Sequence, residues 1–262
     1  MKTINTYNKD KIDKKTTYTN PTPTPNAVGG IKAGSTFNNK EVVDIINDLL
    51  YPFVKPSVSI SSVQSGGIFE LGTSVKITTL NYSVSKNSAD TLNGLKAHFT
   101  GGISETINVV SGDFTSNPSG TKTLDYTITS ETSLSCSLSY SYGTQSVSDE
   151  HLSNLISWSF VNPMFNGVSA SATADVKTLT KQIRRKGNQT LTFALNQEYI
   201  YYAYPKSYGT LKSIKDQSGF ENINGFTLTT EKLAVASGSV DYYVYRLTDK
   251  ETASAMTLTF AF

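Results

Sequence analysis

The sequence predicts an all-β protein with one short N-terminal helix: an immunoglobulin-like β-sandwich followed by a second, smaller β domain. Three observations carry this expectation. Tyr, Phe, Thr, Val and Ile are plentiful, and Ser and Thr recur throughout. Strand-sized runs of alternating residues follow one another, punctuated by Gly, Asn, Asp and Pro. Convincing helical periodicity occurs once. A chain of 262 residues is long enough for one large or two ordinary domains with a real core.

In chain order, residues 1–37 read as an extended N-terminal arm. Lys2, Lys9, Lys11, Lys14 and Lys15 stand against Asp10 and Asp13, and a Pro-Thr repeat follows through Pro21, Pro23 and Pro25. A segment this poor in apolar residues builds no core alone, and the repeat favours extended, polyproline-like geometry. The arm is therefore either a semi-rigid spacer that orders on a partner or a solvated tail. Residues 38–54 read as a short helix and linker. Asn38 is a candidate N-cap, Glu41 completes a capping box, and Phe37 with Val42 has the spacing of a hydrophobic staple. Val42, Ile45, Ile46, Leu49 and Leu50 form one apolar stripe, and Pro52 ends the element. Such a stripe calls for a covering surface.

Residues 55–160 hold runs such as Val58–Ile60, Val75–Ile77, Leu80–Val84, Leu95–Phe99, Ile107–Val109, Leu124–Ile128 and Leu134–Tyr140, with turn signals at Gly66-Gly67, Asn93-Gly94, Gly101-Gly102, Asn117-Pro118 and Gly143. That spacing is the pattern of an immunoglobulin-like sandwich, without its disulfide. Trp158 fits either this core or the junction beyond it. Phe160–Val168, with Pro163 and Asn166-Gly167, marks a boundary. The C-terminal β domain spans 161–262. Within it, Val176, Leu179, Thr180 and Ile183 fit one face of a short helix closed by Arg184, Arg185, Lys186 and Gly187, while Leu191–Leu195, Tyr199–Tyr204, Phe226–Leu228, Asp241–Leu247 and Met256–Phe262 read as strands.

Two stretches carry a family resemblance. Val28-Gly-Gly-Ile-Lys-Ala-Gly-Ser-Thr-Phe37, with the helix and Leu49-Leu-Tyr-Pro-Phe53, resembles a recurring segment of structural proteins of tailed bacteriophages, crAss-like podoviruses among them. Tyr202-Ala-Tyr-Pro-Lys-Ser-Tyr-Gly209, Ser213–Asp216, Gly219-Phe220 and Tyr242–Tyr245 resemble the C-terminal module of the same proteins. The resemblance implies a subunit of a head or tail fibre or spike, located in the virion and assembled in the host cytoplasm. Its implied partners are other virion proteins of the fibre, collar, capsid or tail. It further implies a homo-oligomer, with a trimer as the default for fibres. On this reading Tyr18, Pro21, Pro23, Pro25, Ile31, Phe37, Ile45 and Leu49 are candidate anchor residues.

The residues themselves weigh against catalysis. His98 and His151 are the only histidines, which leaves no His-rich metal motif and little material for a triad. No Gly-x-Ser-x-Gly elbow or Gly-Lys-Ser/Thr phosphate loop is present, so neither catalytic, metal nor cofactor-binding residues are assigned. A glycosidase-type carboxylate pair, such as Asp149 with Glu150 or Glu198 with Asp216, is indistinguishable here from surface acids. The single Cys136 excludes an intramolecular disulfide, and its alternating run reads as core. A formal charge of +2 gives no case for nucleic acid, and the Arg184–Lys186 run reads as a solvated turn. The N-terminus lacks the apolar core of an export signal and no run is long enough to span a bilayer, so no membrane insertion is expected and the final Met256–Phe262 reads as a core strand rather than a barrel strand.

The aromatic set is the remaining candidate site. Tyr202 and Tyr204 share one face of a strand, Tyr199 and Tyr201 the other, and Tyr208, Tyr243 and Tyr245 lie nearby in the pattern. One face belongs to a core. The other suits a subunit interface, interdomain packing, or a platform stacking on host surface glycans, the last making the chain a receptor-binding module at a fibre tip.

Overall fold

The computed structural model describes residues 17–25, 31, 33–50, 52–142 and 145–262, so the Lys-rich start, Val28–Gly30 of the phage-like string and Tyr51 lie outside the described residues. Strand β1 (Thr17–Asn20) pairs antiparallel with β2 (Phe37–Glu41), Tyr18 standing opposite Lys40 and Asn20 opposite Phe37. Beyond Asn20 the pairing continues across the prolines. Thr24 N–H donates to the Ser35 carbonyl at 2.9 Å, and Gly34 N–H donates to the Thr24 carbonyl at 2.7 Å. The part of the expected arm that is described is thus a hairpin rather than a free spacer, closed over the Tyr18 and Phe37 rings at 5.9 Å.

Helix α1 (Val42–Leu50) follows β2 directly. The expected cap is therefore displaced: Asn38 lies inside β2, because the pairing of 37–41 with β1 leaves no cap geometry there. The stripe survives the shift, since it depends on spacing within 42–50 alone.

The first body comprises β3 (Ser57–Ser62), β4 (Gly67–Glu70), β5 (Val75–Ser85), β6 (Thr91–Gly101), β7 (Glu105–Phe114), β8 (Ser119–Ile128), β9 (Thr132–Tyr142), β10 (Gln145–His151) and β11 (Ile156–Val161). They form a three-stranded sheet ordered β3-β5-β8 and a six-stranded sheet ordered β4-β11-β9-β6-β7, with β10 also on β9. The inward residues of the alternating runs, among them Ile77, Leu80, Leu92, Phe99, Leu134 and Leu138, meet in one core with Cys136 and Trp158. Trp158 therefore belongs to this core. Strand β3 bridges the two sheets at its end: Val58 pairs in parallel with Ser153, while the Asn154 amide caps Ile60 by accepting from its N–H at 2.9 Å and donating to its carbonyl at 3.0 Å.

The second body comprises β12 (Met164–Ser169), β13 (Thr180–Gln182), β14 (Gln189–Ala194), β15 (Tyr199–Pro205), β16 (Ser213–Asp216), β17 (Phe226–Val235), β18 (Gly238–Leu247) and β19 (Ala255–Ala261). A five-stranded sheet ordered β13-β12-β15-β18-β17 faces a three-stranded sheet ordered β14-β19-β16. The helix expected over 176–183 is absent. Val176–Thr178 is a single 3-10 turn capped by the Asp175 carboxylate, and Thr180–Gln182 pairs with β12 as an edge strand. A nearby strand edge outweighs a marginal four-residue apolar spacing.

The two bodies are fastened at one end of each. Glu70 at the end of β4 holds Lys181 through one carboxylate oxygen and accepts Ala236 N–H, in the β17–β18 turn, through the other. Arg185 bonds Glu131 at 2.8 Å and also reaches Ser159, and Ser237 Oγ donates to Asn162 at 2.6 Å. Gly72, at φ +93°, lets this turn approach so closely that a Cβ there would lie 2.3 Å from the Ala236 carbonyl.

Candidate assembly interface

Among the described residues, nothing covers the apolar stripe of α1. Ile46 is 46 %, Leu49 36 % and Leu50 65 % exposed, and Val43 on the flank of the stripe is also exposed. Within the stripe, Val42 and Ile45 are half-buried. No residue of α1 belongs to any of the three buried clusters among the described residues. An amphipathic helix of nine residues is marginal by its own hydrogen bonds, so an apolar face left in water is a face shaped for something else.

The base on which this helix stands is fixed. Phe53 stacks on Tyr142 with ring centroids 4.2 Å apart and lies 5.9 Å from Tyr140, continuing the sandwich core. Val54 N–H donates to Ser88 Oγ at 3.2 Å and its carbonyl accepts Ser88 N–H at 3.1 Å; Asn87 donates to the Lys55 carbonyl at 2.7 Å. Lys55 also bonds Glu150, which accepts the Tyr140 hydroxyl at 2.6 Å. Burial, then this carboxylate, pushes the Tyr140 phenol up to about 12. The linker is thus stapled to β9 and β10, and α1 projects from a rigid end of the sandwich.

The candidate anchor residues divide accordingly. Tyr18, Pro21, Pro23 and Pro25 are exposed along the hairpin, Ile31 and Ile45 are half-buried, Phe37 is buried under Tyr18, and Leu49 is part of the uncovered stripe. Phe53 and Tyr142 were not singled out from sequence as a base. Phe53 sits in the phage-like string, so the signal was present, but its partner is ninety residues away.

The tyrosine set is core. Tyr202, Tyr204 and Tyr245 are buried between the two sheets of the second body, with Tyr208 and Tyr243 half-buried against the same cluster. Tyr202 stacks on Phe260 at 4.1 Å, and Tyr204 packs edge-on to Phe262 at 4.7 Å. Burial pushes the Tyr202 phenol up to about 12 and raises Tyr204 further. The opposite face is covered too: Tyr201, Ala203, Tyr242 and Val244 pack with Phe165, Val176 and Leu233. Both faces predicted to be aromatic are therefore occupied by the body's own side chains, and none of these rings offers an open platform.

The two histidines meet on the outer face of the six-stranded sheet. His98 on β6 and His151 on β10 cross over β9 with centroids 4.8 Å apart. His98 nitrogens lie 3.0 Å from Thr106 Oγ1 and 2.6 Å from Ser137 Oγ, and His151 Nδ1 lies 3.3 Å from Ser135 Oγ. Burial, reinforced by His151, lowers the His98 pKa, while the Lys96 ammonium at 2.8 Å lowers that of Asp149. The acids weighed as carboxylate pairs have structural partners: Asp149 holds Lys96, Glu150 holds Lys55 and Tyr140, Glu198 accepts Asn196 N–H, and Asp216 closes a turn. No group of three or more His, Cys, Asp and Glu forms a metal-ligand set among the described residues. No described helix is long and apolar enough to cross a membrane.

Against this geometry, comparison with known proteins brings no relative: no family model, no curated protein and no solved structure matches the chain.

Proposed function

We propose that the chain is a structural subunit of a tailed-bacteriophage virion, part of a head or tail fibre or spike, acting through assembly rather than catalysis. The observation that carries this reading is the stripe of α1, uncovered by any described residue, on a fixed base. The hairpin and helix form an attachment module with no core of their own, placed on the sandwich end remote from the second body. Burying Ile46, Leu49, Leu50 and Val43 against another virion component, or between copies of this chain, completes the module. The trimer that the phage resemblance implies gives one such arrangement.

The architecture supports a load-bearing rod. In the first body, the arrangement of β3-β5-β8 against β10/β11-β9-β6-β7, with β4 parallel to β11, supports reading it as an immunoglobulin-like sandwich with a split first strand. The Glu70 and Arg185 pairs and the Gly72 approach join it firmly to the second body. The test is mass spectrometry of density-banded particles of the phage that carries the gene. Peptides of this chain retained through banding are the expected result; their absence from intact particles overturns the reading.

A further inference from the structure

The end of the sandwich that carries α1 also carries a pocket of about 300 Å³, floored by Phe53, Tyr140, Tyr142 and Val147 and rimmed by Lys55 and Glu150. Its volume is at the low end of ligand-site sizes, about 300 Å³ and upward, which is room for one ring. On the second body one ring is available. Phe220, 71 % exposed, is the most exposed of the large apolar side chains among the described residues.

Phe220 is held out by a rigid turn. The Asp216 carboxylate accepts Ser218 N–H at 2.8 Å and Phe220 N–H at 3.0 Å; Asp216 N–H returns a bond to the Phe220 carbonyl, and Gly219 takes φ +86° at the bend. Behind it, Glu221 accepts the N–H groups of Ile214 and Ile223 at 2.9 and 3.0 Å. Those donors hold the Glu221 carboxyl below its usual range. An aromatic anchor fixed before binding loses little conformational freedom when it docks.

Knob and pocket do not meet within one chain. The joint touches β9 at its Thr132 end, beside Glu131, and the pocket lies at the Tyr142 end, about 30 Å on at ~3.3 Å per residue. In the second body, Asp216 pairs with Leu258, and the turn beyond it points toward the start of β19, away from the joint. Any engagement is therefore between copies, and heterologous.

Charge separates the two bodies in the same sense. Residues 55–161 hold five Lys and Arg against eight Asp and Glu; residues 162–262 hold eleven against eight. The joint uses two acids of the first and two cations of the second, which leaves the opposition of sign in place. Sandwich beside sandwich is a like-charged pairing, whereas sandwich against second body is complementary.

We propose that Phe220 of one copy seats in the Phe53–Tyr142 pocket of the next, a head-to-tail contact between two copies of this chain. Such a contact propagates as a ring or an open filament, according to the rotation it imposes. It stands on this geometry alone and does not depend on a virion origin.

The test uses the full-length chain in sedimentation velocity over a rising concentration series. Phe220→Ser removes the knob at an exposed position, and Gln145→Trp fills the pocket mouth from an exposed rim residue. Each variant keeps the wild-type circular dichroism and loses at least tenfold in association. Mixed, the two variants still form one species of two chains that does not grow, because one knob and one pocket remain between them. Association that either variant leaves unchanged, a mixture that behaves as its separate components, or a wild-type chain monomeric throughout the series overturns the proposal. Association driven only by α1 appears as the first of these outcomes.

Discussion

Replacing Gly72 by Ala is expected to loosen the joint between the two bodies. The site has φ +93°, where an L-residue is disfavoured by about 1–2 kcal/mol. The added Cβ would also lie 2.3 Å from the Ala236 carbonyl carbon and oxygen and 2.4 Å from Ser237 N, all backbone atoms. Ordinary contact begins at 3.4 Å, so the β17–β18 turn must retreat by roughly 1 Å. That retreat breaks the bonds of Ala236 N–H to Glu70 and Ser237 Oγ to Asn162, worth about 0.5–1.5 kcal/mol each. The total is about 2–5 kcal/mol. Gly112→Ala is the control, because its φ is +79° but nothing lies within 4 Å of a Cβ there. At ~2 °C per kcal/mol for a chain of this size, differential scanning calorimetry shows Gly72→Ala lowering the transition by about 4–10 °C and Gly112→Ala by about 2–4 °C. Equal shifts in the two variants would refute the tight joint.

Three further outcomes follow from the site geometry. Tyr202→Ala empties a fully buried position stacked on Phe260 and costs about 3–5 kcal/mol in chemical denaturation; a loss below 1 kcal/mol contradicts its place in the core. His98 is surrounded by His151, Lys96, Asp149, Thr106 and Ser137, and its folded pKa lies below the 6.5 of the free group. Its stabilising contribution is therefore present above pH 6.5 and is lost as pH falls from there through the folded value, so His98→Gln flattens the stability–pH curve in that interval, and an unchanged slope refutes the assignment. Burial pushes the Cys136 thiol up to about 12, so a thiol reagent at pH 8 labels it only in denaturant; fast labelling of the native chain contradicts its burial.

What was legible in the sequence was what short-range pattern encodes. Alternation marked Leu134–Tyr140 and Tyr199–Tyr204 as strands because one residue in two faces a core, and the all-β class followed. The helix was visible through the spacing of Val42, Ile45, Ile46 and Leu49, but its start was not, because pairing of Thr17–Asn20 with Phe37–Glu41 is a contact across a loop. The same limit hid β10 and β16, short strands whose extended state comes from a neighbouring edge. For the interface, the stripe was expected to be covered, and the structure shows that no described residue of the chain covers it. The tyrosines went the other way. Their spacing correctly divided them between two faces, yet whether the second face is open depends on Val176 and Leu233, which no local pattern connects to them. The Phe53 base and the Phe220 pocket partner depend on separations of about ninety residues or on a second chain, and no periodicity spans those.

The central claim is that α1 is the assembly surface, and light scattering on the full-length chain beside its Ile46→Ser/Leu50→Ser variant tests it most directly. Full burial of an Ile or Leu is worth about 1.5–3 kcal/mol, and roughly half of each remains to be gained on assembly. The pair should therefore weaken association by about 1.5–3 kcal/mol per contact, or ~10–150-fold in Kd. The account predicts a wild-type mass at a multiple of 28.5 kDa that falls to a lower multiple in the variant, with unchanged thermal stability. An identical multiple in both proteins, or a variant that fails to fold, contradicts it.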